Sequence, residues 1–177
     1  MGRAKHELPV GDTTLLSWLI GRFGPLYTEV IVVGAAAPER ARSVSDLRSD
    51  AGPLAGIEAG LLALRVWDRA FVLSVDSPRA TPSLGAYLVR RCEGHDAAVP
   101  RLRGRPQPTV AAYARSVAPK IAAYLDSGKR RATDVLDALD TIFVDDAELA
   151  SEGFSSREFA DLDTPADYEA FLAELRT

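Results

Sequence analysis

Polar and apolar positions along the chain change period again and again, and each change marks an element. Leu15, Leu16, Leu19 and Ile20 share one face at helical spacing, which predicts a helix over 13–23 with Asp12 or Thr13 as its cap and Gly24-Pro25 as its stop. The run Glu29 to Val33 predicts a strand, and a weaker one is predicted over Ser43 to Leu47. Pro53 to Leu64 reads as a helix, its proline placed in the first turn, where a missing N–H costs nothing. Ala70 to Val75 is the strongest apolar run and predicts a buried strand. Helices are predicted over Thr81–Arg91, Ser116–Leu125, Thr133–Leu139 and Thr164–Leu175. Further strands are predicted over Ala97–Pro100, Gln107–Tyr113 and Thr141–Val144.

Strands separated by helices predict an α/β protein whose mostly parallel sheet is covered on both faces. The segment from about Ala97 to Tyr113, folded around Arg103-Gly104, is expected to be an antiparallel excursion. No repeat, low-complexity tract or long linker divides the 177 residues, so one domain, 1–177, is expected.

Composition narrows the chemistry. The formal net charge of -4 disfavours a general nucleic-acid binder, and the cluster Lys129-Arg130-Arg131 reads as a solvated helix end. Cys92 is the only cysteine, which excludes an internal disulfide and fits a cytoplasmic protein; it reads as a packing residue. No run is apolar and long enough to span a membrane, and Met1 to Glu7 lacks the apolar core of a signal peptide. His6 and His95 have no ligand spacing and read as surface residues.

Candidate chemistry gathers at a few short motifs. The strand Ala70–Val75 ends on Asp76, with Pro78 stopping it. Ligands of open α/β sheets bind beyond the carboxyl ends of strands, so this carboxylate either caps a turn or holds a divalent cation that carries phosphates. Gly52-Pro53-Leu54-Ala55-Gly56 runs into a helix; glycine lets a ligand lie against the main chain, and a helix amino end offers free N–H donors. Lys5 is able to place an ammonium on phosphate oxygens. Asp161 and Asp163, two apart on an extended segment, point to one side, and one of them approaches the cation opposite Asp76; Thr164 reads as the cap of the last helix. No serine–histidine–aspartate order, zinc spacing or Walker loop occurs.

In this order the motifs resemble the molybdenum cofactor guanylyltransferase family of MobA-like nucleotidyltransferases. The likeness is carried by Met1-Gly2-x-x-Lys5 with Leu8-Pro9-Val10-Gly11, then Gly52-Pro53-Leu54-Ala55-Gly56, Val75-Asp76-Ser77-Pro78, Gly104-Arg105-Pro106-Gln107-Pro108 and Asp163-Thr164-Pro165. The resemblance implies a Rossmann-like nucleotidyltransferase fold, a three-layer sandwich around a mostly parallel mixed sheet. It implies transfer of GMP from GTP to molybdopterin, with Mg2+ and release of pyrophosphate, and molybdoenzymes as delivery partners. By that likeness Gly2, Lys5, Gly34, Asp46, Gly52 and Asp76 bind the nucleotide, and Lys5 and Asp76 are catalytic. Asp76 and Asp163 hold the metal, and Arg105 and Gln107 face the pterin.

The likeness also has gaps. The family's first strand and its Leu-Ala-Gly-Gly-x-Ser-x-Arg loop have no counterpart in these residues, Ala4 replaces the usual Asp or Pro, and Asp163 stands where Asn is usual. The absent strand would be central, so open backbone edges are expected, and so is weak GTP binding by these 177 residues. A start downstream of the natural one and a catalytically crippled chain both account for this. Two other functions stay open: a cytidylyltransferase of the same fold, and a non-catalytic relative that binds or delivers molybdopterin.

Overall fold

A computed structural model describes residues 4–48 and 52–176. After a 3-10 turn over Lys5–Glu7, a short hairpin of β1 (Pro9–Val10) and β2 (Thr13–Thr14) leads into α1 (Leu15–Phe23). Thr14, not Asp12 or Thr13, caps α1, accepting from the Ser17 N–H at 3.2 Å. β3 (Ile31–Val33) and β4 (Arg42–Val44) pair in parallel as a small sheet. Then come α2 (Pro53–Ala63), β5 (Arg69–Leu73), α3 (Pro82–Arg91), β6 (Ala97–Leu102), β7 (Arg105–Pro106) and β8 (Val110–Ala114). The chain closes with α4 (Ala118–Asp126), α5 (Ala132–Val135), β9 (Thr141–Asp145), α6 (Asp146–Ser151) and α7 (Pro165–Glu174).

The larger sheet has five strands. β6 lies parallel to β9, while β8 runs antiparallel to both β5 and β6, so β5, β6 and β9 share one direction. The antiparallel excursion is therefore present, but it is divided: β6 turns through Arg103 and Gly104 into the short β7, and β8 begins only at Val110. Both turn residues hold positive φ, which forces the tight reversal. The helix predicted over 133–139 is a single α turn passing into a 3-10 turn. The six-residue α6 was not predicted; Asp145 at its start accepts from the Glu148 N–H at 2.9 Å.

Side chains alternate across the sheet and fill two cores. Val99, Ala111 and Tyr113 face α2 and α4 with Leu54, Ile57, Leu61, Ile121 and Leu125. Ala98, Val110 and Ala112 face α3 and α6 with Leu84, Leu88 and Leu149. Cys92 is buried in this second core, as its packing role required. A third, smaller cluster joins Leu8, Val10 and Leu15 to Leu162 and Phe171, so the two ends of the described chain pack together.

Among the described residues no strand pairs with the second edge of β3 or of β5. Between those edges lies an apolar slot of about 440 Å³, lined by α1 on one face and α2 on the other. The expected open edges are thus present. None of the described helices is long and apolar enough to cross a membrane.

Candidate active site

The site begins where β5 runs out. Ser77 N–H donates to the Ser74 carbonyl at 3.1 Å, closing a turn that presents Asp76 beyond the strand end. Three contacts lock this turn. The Leu162 N–H donates to the Asp76 carbonyl at 2.8 Å, the Ser77 hydroxyl to Asp161 Oδ1 at 2.5 Å, and Arg22 Nη1 to the Pro78 carbonyl at 2.8 Å. Ser77 is fully enclosed, so its hydroxyl must find such a partner. The turn is thereby tied to the segment just before α7, which brings Asp163 alongside.

Lys5 bridges the two. Its Nζ lies 3.3 Å from Asp76 Oδ2 and 3.2 Å from Asp163 Oδ1. Desolvation by partial burial works against the ammonium, but the bond to Asp163 and the charge of Asp76 outweigh it and raise the Lys5 pKa. Asp161 is exposed as a residue, with its carboxyl drawn against the Asp76 turn. Desolvation raises its pKa, the Ser77 hydrogen bond partly offsets this, and the charges of Asp76 and Asp163 add to the rise. One ammonium thus serves three neighbouring carboxyl groups, leaving a surplus of negative charge at the sheet's carboxyl edge. Thr164 does what its sequence position predicted: it caps α7, accepting from the Asp167 N–H at 3.2 Å.

A second group forms around Gly34, just after β3. Its φ is +75°, and a Cβ built there would stand 2.8 Å from Asp46 Oδ2. The other oxygen of Asp46 is 3.9 Å from the same position on Gly56, in the first turns of α2. Gly52 caps α2 with φ 68°, and Pro53 follows as its first residue. Gly34, Asp46 and the start of α2 are therefore one cluster. Gly2 lies outside the described residues.

Arg105 and Gln107 sit on the β6–β7 excursion. Gln107 N–H donates to the Pro100 carbonyl at 2.8 Å, and its side-chain amide to the Arg105 carbonyl at 3.2 Å. No hydrogen bond joins either to the Lys5–Asp76–Asp163 group among the described residues; their bonds stay within the excursion.

Sequence reasoning passed over several supports. Ser77 and Arg22 anchor the Asp76 turn, and Arg48 grips the loop that carries Asp46. Arg48 Nε donates to Glu58 Oε2 at 2.8 Å and its Nη1 to Asp126 Oδ1 at 2.5 Å. Glu58, in the middle of α2, is 3 % exposed and is the one buried charged side chain among the described residues. The only sequence signal was a lone glutamate in an otherwise apolar helix.

Small-residue turns and surplus carboxylates at the carboxyl edge of an α/β sheet define a protein of the Rossmann-like nucleotidyltransferase class. Within it, the chain belongs to the MobA-like NTP transferase family, whose domain model matches residues 1–142. Asp161 and Asp163 lie beyond that match. A relative from Pelotomaculum thermopropionicum, named "Probable molybdenum cofactor guanylyltransferase", is 29% identical over 171 residues, covering 94% of this chain and 83% of its own. Among solved structures, molybdopterin-guanine dinucleotide biosynthesis protein A from Archaeoglobus fulgidus superposes with a TM-score of 0.83 at 23% identity, over 99% of this chain and 92% of the other. The 2-C-methyl-D-erythritol 4-phosphate cytidylyltransferase of Thermus thermophilus gives 0.74 at 20% identity, over 98% and 94%. These two likenesses show the shared fold.

Proposed function

We propose that the protein, acting as one domain, transfers GMP from GTP to molybdopterin and releases pyrophosphate. What supports the reading is the convergence of Asp76 and Asp163, from segments far apart in sequence, on the single ammonium of Lys5. The family to which the chain belongs and the printed name of its relative favour the guanylyl branch.

The chemistry needs charge control at phosphorus. Lys5 is held in its charged form by its two carboxylates, and in the transferase its ammonium turns to phosphate oxygens when a nucleotide enters. Asp76 and Asp163 offer hard oxygen donors aimed at a common point, which suits Mg2+; a bound Mg2+ supplies neutralisation of phosphate charge. Asp161 fixes the Asp76 turn through Ser77. Asp46, against Gly34 and the start of α2, borders the space assigned to the nucleoside, with Gly34 and Gly52 giving the main chain close access, and Gly2 is assigned to the nucleotide by its place in the family motif alone. Arg105 and Gln107 are assigned to the pterin side. Attack is in line, by a phosphate oxygen of the acceptor on the α-phosphorus, and the protein need supply no covalent nucleophile.

The test is pyrophosphate release with molybdopterin as acceptor and millimolar GTP or CTP. Release with GTP, weak release with CTP, and a loss of about a hundredfold or more in Asp76→Ala are expected. Preference for CTP would move the protein to the cytidylyl branch. Cofactor insertion in cells that survives Asp76→Ala would turn the reading to a delivery protein.

A further inference from the structure

Directly after the turn that presents Asp76, the Ala80 N–H donates to the Ser77 carbonyl at 3.3 Å and closes a second turn, which holds Arg79. Among the described residues Arg79 bonds to neither Asp76 nor Asp163. Its Nε and Nη2 donate to the two oxygens of Glu174 at 2.9 and 3.1 Å, a planar fork on a carboxylate. Its Nη1 donates to the Ala160 carbonyl at 3.3 Å. The Arg79 side chain is only 10 % exposed, and its Cζ lies 5.4 Å from the ring centroid of Phe171, itself buried on α7.

These partners bracket Asp163. Ala160 precedes it in the chain, and Glu174 is the last residue of α7, the helix that Asp163 leads into. One guanidinium thus holds both sides of the segment that carries one carboxylate, and it is rooted beside the turn that carries the other. The bonds of Asp76 and Ser77 reach only Leu162 and Asp161; Arg79 extends the tie to the far end of α7. The Asp163 side chain is largely exposed, and its carboxylate bonds to Lys5 alone among the described residues, so its place follows its backbone. A planar fork fixes orientation as well as distance, which a lysine ammonium would not.

We propose that Arg79 is a positioning residue: by tying the Asp76 turn to both sides of Asp163, it sets the separation of the two carboxylates and so their fit to a divalent cation. This role rests on the guanylyl-transfer reading, which assigns a cation to that pair. Arg79 touches neither cation nor nucleotide and acts through the backbone it holds.

The experiment compares Arg79→Met and Arg79→Lys with the unaltered protein. Three quantities are read: native-state hydrogen exchange at the Leu162 amide, Mn2+ binding without nucleotide by electron paramagnetic resonance, and kcat and KM for pyrophosphate release. Ile121→Val, in the core under α4, supplies a loss of stability away from the site. Arg79→Met is expected to speed Leu162 exchange, to weaken Mn2+ binding by about tenfold or more and to lower kcat by a similar factor, with KM for GTP changed less than about twofold. Arg79→Lys, which keeps the charge without the fork, is expected to fall between, and it carries the comparison alone if Arg79→Met does not fold. Ile121→Val is expected to lower the Tm without moving Mn2+ affinity or kcat. Unchanged Leu162 exchange in the Arg79 variants overturns the proposal. So do Mn2+ affinity and kcat that track the Tm alike in the Arg79 variants and Ile121→Val, which would leave Arg79 a purely structural residue. Mn2+ binding that survives Asp76→Ala in full counts against the cation assignment and the reaction instead; Leu162 exchange, which involves neither metal nor substrate, then decides for Arg79.

Discussion

Gly34 shows how much a single residue can decide. Its positive φ disfavours any side chain, and the nearest atom that a side chain would meet is a carboxylate oxygen of Asp46. Gly34→Ala is therefore expected to destabilise the fold by about 1–2 kcal/mol and to displace Asp46, read as a lower midpoint in urea and a raised KM for nucleotide. Lys5 differs in kind, because its place is set by charge. Lys5→Met is expected to lower kcat/KM for pyrophosphate release by about a hundredfold while leaving the Tm little changed. Asp161 makes a sharper case. Its carboxyl titrates above its ordinary range, so the protonated form favours folding, and that contribution is complete below the ordinary value of 3.8 and lost as pH rises through the folded one. Asp161→Asn keeps an acceptor for Ser77 and removes the charge. It is expected to raise the Tm at pH 7, with the gain shrinking as the pH falls toward the acid range.

Among the elements, α2 and its incoming loop form the most tightly specified unit. The fork of Arg48 on buried Glu58 and on Asp126 joins the Asp46 loop to α2 and α4, and these carboxylates hold the Arg48 guanidinium charged far beyond the accessible range. Arg48→Met would strand Glu58 without its partner. A lower Tm is expected, with KM for nucleotide rising more than kcat falls; Glu58→Gln in the same background should restore part of the Tm. Little of this was legible in advance. α2 is apolar nearly all round, so no periodicity told the buried face from the exposed one, and Glu58 looked like an ordinary surface position. β5 was legible because a buried strand is written as a continuous apolar run, and the last helix because Thr164-Pro165 is a strong local start signal. The division of 107–113 was not, since Pro108 and the register of β6 against β7 and β8 are settled across the sheet.

At the scale of the molecule, alternating periods made the α/β class legible but left the meeting of the two ends unread. The Ser77–Asp161 contact spans 84 residues and the Lys5–Asp163 contact 158, and no local pattern encodes either. Both depend on the cluster in which Leu162 and Phe171 close over Leu8, Val10 and Leu15. Removing residues 161–177 should uncover that cluster, at about 1.5–3 kcal/mol for each large side chain lost, and release the Asp76 turn. A lower Tm and loss of pyrophosphate release are the expected results, measured by calorimetry and by the pyrophosphate-release assay.

That joining of the ends has a consequence for biosynthesis. A ribosome makes Lys5 158 residues before Asp163, so during translation the ammonium waits for a carboxylate not yet polymerised. Nascent chains halted before the α7 segment emerges would carry an unfinished centre, and appearance of turnover would time the emergence of that segment.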